Sequence, residues 1–182
     1  LDLKDPRGLD ILKKMITQAD VLIENFKAGV IERLGYGYEA VRAVKADIIY
    51  CSISGYGQQG PMAGKAAYDG AIQAASGMMS VTGTPDSGPL RVGYMPVDVP
   101  TGITASFAIA SALFQRTHTG KGQCIDVSML DSTLAFLSPH IESAFRSFQA
   151  VVDVRLDDTV LTWAGWDRTL DIRVVNVRAL GG

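Results

Sequence analysis

Two short apolar runs, each bounded by charge and separated by helix-like text, constrain this chain more than any other feature. The first is Asp20-Val21-Leu22-Ile23-Glu24 and the second Asp47-Ile48-Ile49-Tyr50-Cys51-Ser52-Ile53-Ser54. Short, Val- and Ile-rich runs with little polar alternation suit strands buried on both faces, as in a parallel sheet. Upstream, Asp5-Pro6 is a helix start, with Asp as cap and Pro at the first helical position. Leu9, Leu12, Met15 and Ile16 then fall on one helical face. Between the runs, Ala28 to Leu34 reads as a short helix stopped by Gly35. Tyr38 to Lys45 reads as another, with Ala40, Val41 and Val44 apolar. This strand–helix–strand rhythm predicts an α/β layer built on a parallel sheet.

Downstream, Gly55 to Gly64 is a loop rich in Gly, Gln and Pro. Residues 69–79 are small and compatible with helix. Thr82 to Pro89 carries turn chemistry, and Leu90 to Val97 is expected to be an interrupted strand. Pro100 to Arg116 is the longest helix candidate, and its Ala, Ser and Gly content implies close packing. Thr119-Gly120-Lys121-Gly122 reads as a hairpin-like turn into a strand over Gln123 to Val127. Asp131 to Phe148 is expected to be helical. Val151 to Val177 alternates loosely, predicts weak strands, and carries no functional reading. There is no internal repeat.

A chain of 182 residues is long enough for one domain with its own core. Its formal net charge of −2 and the lack of a basic block argue against nucleic acid as partner. Its apolar stretches are too short or interrupted to span a bilayer, and its first residues lack a signal-peptide pattern. Cys51 and Cys124 make no disulfide framework. Both sit in apolar, strand-like text, so both are expected to be buried free thiols in a reducing cytoplasm.

Asp98 is the candidate reactive group. It lies in Val97-Asp98-Val99-Pro100-Thr101-Gly102, between an apolar run and the long helix. Local sequence favours a helix cap, since an Asp just before a helix-opening Pro satisfies orphan N–H groups and suits the helix dipole. The alternative is a nucleophile. His118 and His140 lack metal-ligand partners at useful spacing. Gly120-Lys121-Gly122 lacks the pattern of a phosphate loop. Ser52 and Ser54 lack a nearby His.

The order of motifs alters that balance. Leu1-Asp2-Leu3-Lys4-Asp5-Pro6, Ala19 to Gly29 with Glu24-Asn25-Phe26-Lys27 at its centre, and Glu32-Arg33-Leu34-Gly35 occur in sequence. Ile49 to Gly57, Gly60-Pro61 and Tyr68-Asp69 follow. From Leu1 to about Ala144 the chain resembles the family III CoA-transferases, a group with formyl-CoA and carnitine CoA-transferases and, as a relative, alpha-methylacyl-CoA racemase. The resemblance implies an open, largely parallel Rossmann-like sheet flanked by helices. Residues 1–148 would be part of the large domain, and 149–182 a divergent tail without assignment. It also implies further strand–helix units before Leu1.

In that family the aspartate matching Asp98 is the nucleophile, which forms an aspartyl-CoA intermediate while CoA passes from an acyl-CoA to a carboxylic acid. The resemblance places Leu1, Asp2, Leu3, Lys4, Asn25, Phe26, Lys27 and Arg33 at the CoA site. It sets Ala66, Ala67, Tyr68 and Asp69 beside the thioester. Ligands in open parallel sheets collect beyond the carboxyl ends of strands, where Asn25-Phe26 and Ser54-Gly55-Tyr56-Gly57 fall. The racemases carry His-Asp where this chain has Tyr68-Asp69. A phenol is a poor proton shuttle near neutral pH, so Tyr68 favours transferase over racemase. The alternatives are an acyl-CoA racemase and an inactive fragment that only binds CoA. No metal or redox cofactor is implied, CoA thioester being the substrate. A cytoplasmic, interlocked homodimer is implied for the parent.

Overall fold

The computed structural model describes residues 1–147, 154–156 and 159–161. The chain divides into two units, Leu1–Glu142 and Ser143–Gly182. In chain order the first contains α1 (Pro6–Gln18), β1 (Val21–Glu24), α2 (Val30–Arg33), α3 (Tyr38–Val44) and β2 (Ile49–Ser54). These are followed by α4 (Asp69–Ala75), α5 (Met78–Thr82), α6 (Asp98–Thr119), β3 (Gln123–Ser128) and α7 (Met129–Phe136). Helix α8 (Ser138–Ser147) follows in sequence, and beyond it the described residues are an antiparallel pair, β4 (Val154–Leu156) and β5 (Thr159–Leu161). The rest of the tail expectation over Val151 to Val177 lies outside the described residues.

β1, β2 and β3 form one parallel sheet in the order β1-β2-β3. It is an open, parallel α/β arrangement, as the two apolar runs require. β2 is the central strand, and Ile48 to Cys51 are all fully buried. Alternate residues of a strand face opposite sides, and each side meets a different helix layer. Tyr50 and Ile48 pack with Ile16 of α1 and Val41 of α3. Cys51 and Val127 pack with Ala105 of α6. Small residues on α6 allow that close approach, because its buried positions are Thr101, Ala105 and Ala112.

Local chemistry accounts for the element ends. The Asp5 carboxylate caps α1 by accepting the Arg7 N–H at 2.8 Å, with Pro6 opening the helix. Gly120, at φ 66°, ends α6 in the left-handed conformation that favours glycine. The guanidinium of Arg116 ties the same end to the amino edge of the sheet. It donates to the Asp20 carboxylate at 2.7 Å and to the Asp47 carbonyl at 3.1 Å.

Four expectations are corrected. Gly120-Lys121-Gly122 is no hairpin, because β3 runs parallel to β2 and must follow a crossover helix. Gly122 instead brings the chain against the Ile48 backbone. Leu90 to Val97 forms no strand. The Leu90 N–H donates to the Met79 carbonyl and the Val92 N–H to the Gln73 side chain, so no neighbouring strand receives them. The expected helix from Asp131 is two helices, α7 and α8, joined at Leu137 with Pro139 in the first turn of α8. Cys124 is exposed on the edge strand β3, while Cys51 is buried as expected.

Candidate active site

All three strands deliver their carboxyl ends to one side of the sheet, and a cavity of about 550 Å³ lies there. Asn25, Phe26, Lys27 and Ala28 follow β1 and form one wall. Ile53 to Gly57 continue from β2. Gly64 to Tyr68 close the loop that follows, and Met129 comes from the end of β3. Asp98, Thr101 and Gly102 enter from the first turn of α6. The volume is in the range of small-molecule sites.

Each wall has its own anchor. Glu24 is buried at the last position of β1, where its carboxylate accepts from the Ser52 hydroxyl and, at 2.8 Å, from the Phe26 N–H. It thereby bends the chain into the Asn25–Lys27 turn. The glycine loop is tied down from β3 and from the start of α7. The Gln58 N–H donates to Asp126 Oδ2 at 2.9 Å, and the Leu130 N–H to the Gly55 carbonyl at 3.0 Å. A side chain at position 55 would collide with the Cβ of Ala67, so Gly55 lets the two arms of the loop touch.

Asp98 is the first residue of α6, whose N-cap Val97 supplies no side-chain cap. The capping is done from elsewhere. Asp69, buried at the first position of α4, accepts through Oδ2 from the N–H groups of Val97 (3.0 Å) and Asp98 (3.1 Å). Two orphan donors at the start of α6 are thus satisfied by a carboxylate 29 residues upstream in sequence. The Asp98 carboxylate is left to the cavity. Desolvation pushes its pKa up, and the negative charge of Asp69 adds to that shift. A carboxylate held above its ordinary range is a better nucleophile than one paired with a cation. Cys51, the buried thiol of β2, is pushed up to about 11 chiefly by burial and does not compete for that role.

Of the residues singled out in the sequence, Asn25, Phe26, Lys27, Ala66, Ala67, Tyr68 and Asp98 line this cavity. Asp69 lies behind the wall and acts on the backbone. Leu1, Asp2, Leu3 and Lys4 do not line it. Lys4 donates its N–H to Asp2 Oδ1 at 2.9 Å, ahead of α1. Arg33 is also outside the lining. Its Nη1 lies 3.3 Å from where a Cβ on Gly29 would sit, beside the Ala28 wall.

Lys65, Thr101 and Ser54 are among the lining residues not picked out as binding groups. Lys65 adds a second ammonium to that of Lys27, whose stem reaches the Gly64 turn. A lone Lys between Gly64 and Ala66 was the available signal. Thr101 uses its hydroxyl on the Val97 carbonyl at 2.7 Å. Ser54 is different: its hydroxyl is buried with no hydrogen-bond partner among the described residues. A buried hydroxyl without a partner costs free energy, which sets Ser54 apart from the other residues of the cavity wall. No sequence signal points to this, because burial and missing partners are tertiary properties.

Known proteins share this arrangement. The model of CoA-transferase family III matches residues 1–165, past the point near Ala144 where the motifs fade. The chain is 50% identical over 138 residues to an acetyl-CoA:oxalate CoA-transferase of Acetobacter aceti, covering 75% of this chain and 36% of that protein. It is 44% identical over 138 residues to a mouse succinyl-CoA:glutarate CoA-transferase, covering 76% of this chain and 32% of that protein. The crystal structure of a CAIB/BAIF family protein from Brucella suis superposes with a TM-score of 0.78 at 38% identity, over 82% of this chain and 39% of that one. The chain therefore spans about a third of the length of these curated relatives. The matched span and the shared fold together show that the chain belongs to CoA-transferase family III.

Proposed function

We propose that this chain carries the nucleophile and one wall of the acyl-CoA site of an enzyme that moves CoA from an acyl-CoA to a carboxylic acid. The observation that carries the reading is Asp98: a carboxylate raised in pKa, without a hydrogen bond or ion pair to its side chain among the described residues, and facing a cavity walled by three strand ends. The relatives act on oxalate and glutarate with acetyl-CoA and succinyl-CoA as donors. These make small dicarboxylates the first acceptors to try.

The steps balance without a redox partner. An Asp98 oxygen attacks the thioester carbonyl, and the C–S bond breaks to give a mixed anhydride and CoA thiolate. The thiolate attacks the Asp98 carbonyl carbon, forming aspartyl-CoA and releasing the donor carboxylate. The acceptor carboxylate attacks aspartyl-CoA, expelling the thiolate and forming a second anhydride. The thiolate then attacks the acceptor's acyl carbon, forming the new acyl-CoA and restoring Asp98. The exchange is divided into easier covalent steps. Lys27 and Lys65 supply cations for CoA phosphates, with Arg33 beside them. Neither a metal nor a redox cofactor is needed.

The reading includes a homodimeric parent in a reducing cytoplasm. The uncovered apolar row on α6 (Val99, Ile103, Phe107, Phe114) and the two free cysteines support those parts. Among the described residues no helix is long and apolar enough to cross a membrane.

The test is transfer itself. Isotopically labelled oxalate, succinate and glutarate are incubated with acetyl-CoA or succinyl-CoA, and labelled acyl-CoA is counted. Transfer to at least one acceptor is expected of the parent enzyme that contains this chain. Rapid α-deuteration of a branched acyl-CoA in deuterated water, with no acceptor present, would instead establish racemase chemistry.

A further inference from the structure

Gln73 is wholly buried, and a primary amide in that position costs free energy unless both of its ends are bonded. Both are. Nε2 donates to Asp69 Oδ1 at 2.5 Å, one helical turn back. Oε1 accepts from the Val92 N–H at 2.9 Å. The second oxygen of Asp69 accepts from the N–H groups of Val97 and Asp98. A strut of two side chains therefore runs from α4 to both ends of the Val92–Asp98 segment. The amide has one workable orientation. Reversed, its NH₂ would face the Val92 N–H and its carbonyl oxygen the Asp69 carboxylate, leaving two repulsive contacts.

We propose that Gln73 is a positioning residue for the reaction at Asp98, holding the Asp69 carboxylate so that it fixes the backbone of Val97 and Asp98. This rests on the reading of Asp98 as nucleophile. Without the Gln73 donor, Asp69 Oδ1 loses its partner and the carboxylate is free to turn about its own bond. The Asp98 backbone then loses its fixed acceptor. A misplacement of about 1 Å at a reacting group costs on the order of 100-fold in rate.

Two variants separate positioning from mere packing. Gln73→Met keeps the volume and removes both bonds. Gln73→Glu keeps the shape, and its carboxyl mimics the amide only while protonated. In that form O–H donates to Asp69 and C=O accepts from Val92. Ionised, it repels Asp69 and offers no donor. The charged groups around it are Asp69 on its own helix, Asp98 opening α6, and Arg91, whose Nε lies 3.3 Å from where a Cβ on Gly70 would sit. α7, packed against α4, carries Asp131, which is exposed, and α5 has no ionisable side chain. Two carboxylates against one cation raise the pKa of the introduced carboxyl.

The experiment measures kcat and KM for acyl-CoA, relative to wild type, between about pH 5.5 and 8, together with amide hydrogen exchange at Val92, Val97 and Asp98. Gln73→Met is expected to lose about 100-fold in kcat at every pH, with KM held, and to exchange faster at all three amides. Gln73→Glu is expected to match it at about pH 8 and to regain most of the loss at about pH 5.5, in rate and in protection alike. Wild-type kcat and exchange in Gln73→Met would overturn the proposal. So would a pH-independent deficit in Gln73→Glu, which decides the matter even if Gln73→Met fails to fold. If the wild-type protein transfers no CoA, the transferase reading fails on its own. Amide exchange then judges the strut alone, and unchanged exchange in Gln73→Met overturns it.

Discussion

At the scale of single residues, Asp98 is asked to do something the fold resists. Its folded-state pKa lies above the ordinary 3.8, because desolvation and the charge of Asp69 disfavour the ionised form. Stability from this group is therefore greatest below its unfolded pKa and is lost as pH rises through the folded one. Asp98→Asn removes that charge. It is expected to abolish turnover, by on the order of a thousandfold or more, while raising Tm at neutral pH. The gain should vanish near pH 3, which thermal melts at the two pH values would check. A lower Tm at neutral pH would show that the charge favours the fold. Asp98 was legible in the sequence, but its two readings were not separable there. The capping work that local sequence gave to Asp98 belongs to Asp69, and no local pattern joins residues so far apart. Ser54 stayed hidden for the same reason, since a serine ending a strand looks the same whether or not its hydroxyl has a partner.

At the scale of elements, the sheet and most helices could be read because their signals are local: Asp5-Pro6 opening α1, apolar β1 and β2, and Gly120 ending α6. What failed depended on partners distant in sequence. Leu90 to Val97 has strand-like composition, yet its donors go to Gln73 and α5. Gly120-Lys121-Gly122 has turn composition, yet it joins a helix to a parallel strand. α6 is pinned at both ends, by Asp69 at the cavity and by Arg116 at the opposite edge. Arg116→Met removes charged donors from Asp20 and from the Asp47 carbonyl and is expected to cost about 2 kcal/mol. That corresponds to a Tm lower by roughly 6 °C. An unchanged Tm would mean that the clamp adds nothing beyond its solvated alternatives.

At the scale of the whole molecule, one face of α6 is uncovered. Val99, Ile103, Phe107 and Phe114 are 57–75% exposed, spaced so that they share a stripe. Contiguous apolar surface of this kind drives association. The purified 182-residue chain is expected to sediment above monomer mass, and Phe107→Glu with Phe114→Glu to shift it back toward monomer. A monomeric wild-type chain would remove the support this stripe lends to a homodimeric parent. The central claim remains the covalent role of Asp98, and one measurement meets it directly. The protein is mixed with acyl-CoA, quenched in acid and digested, and the Asp98 peptide is weighed with and without hydroxylamine. The account predicts a CoA or acyl adduct on that peptide, converted by hydroxylamine to the aspartyl hydroxamate or released, and absent from Asp98→Asn. Transfer that proceeds with an unmodified Asp98 peptide under single-turnover conditions would contradict it.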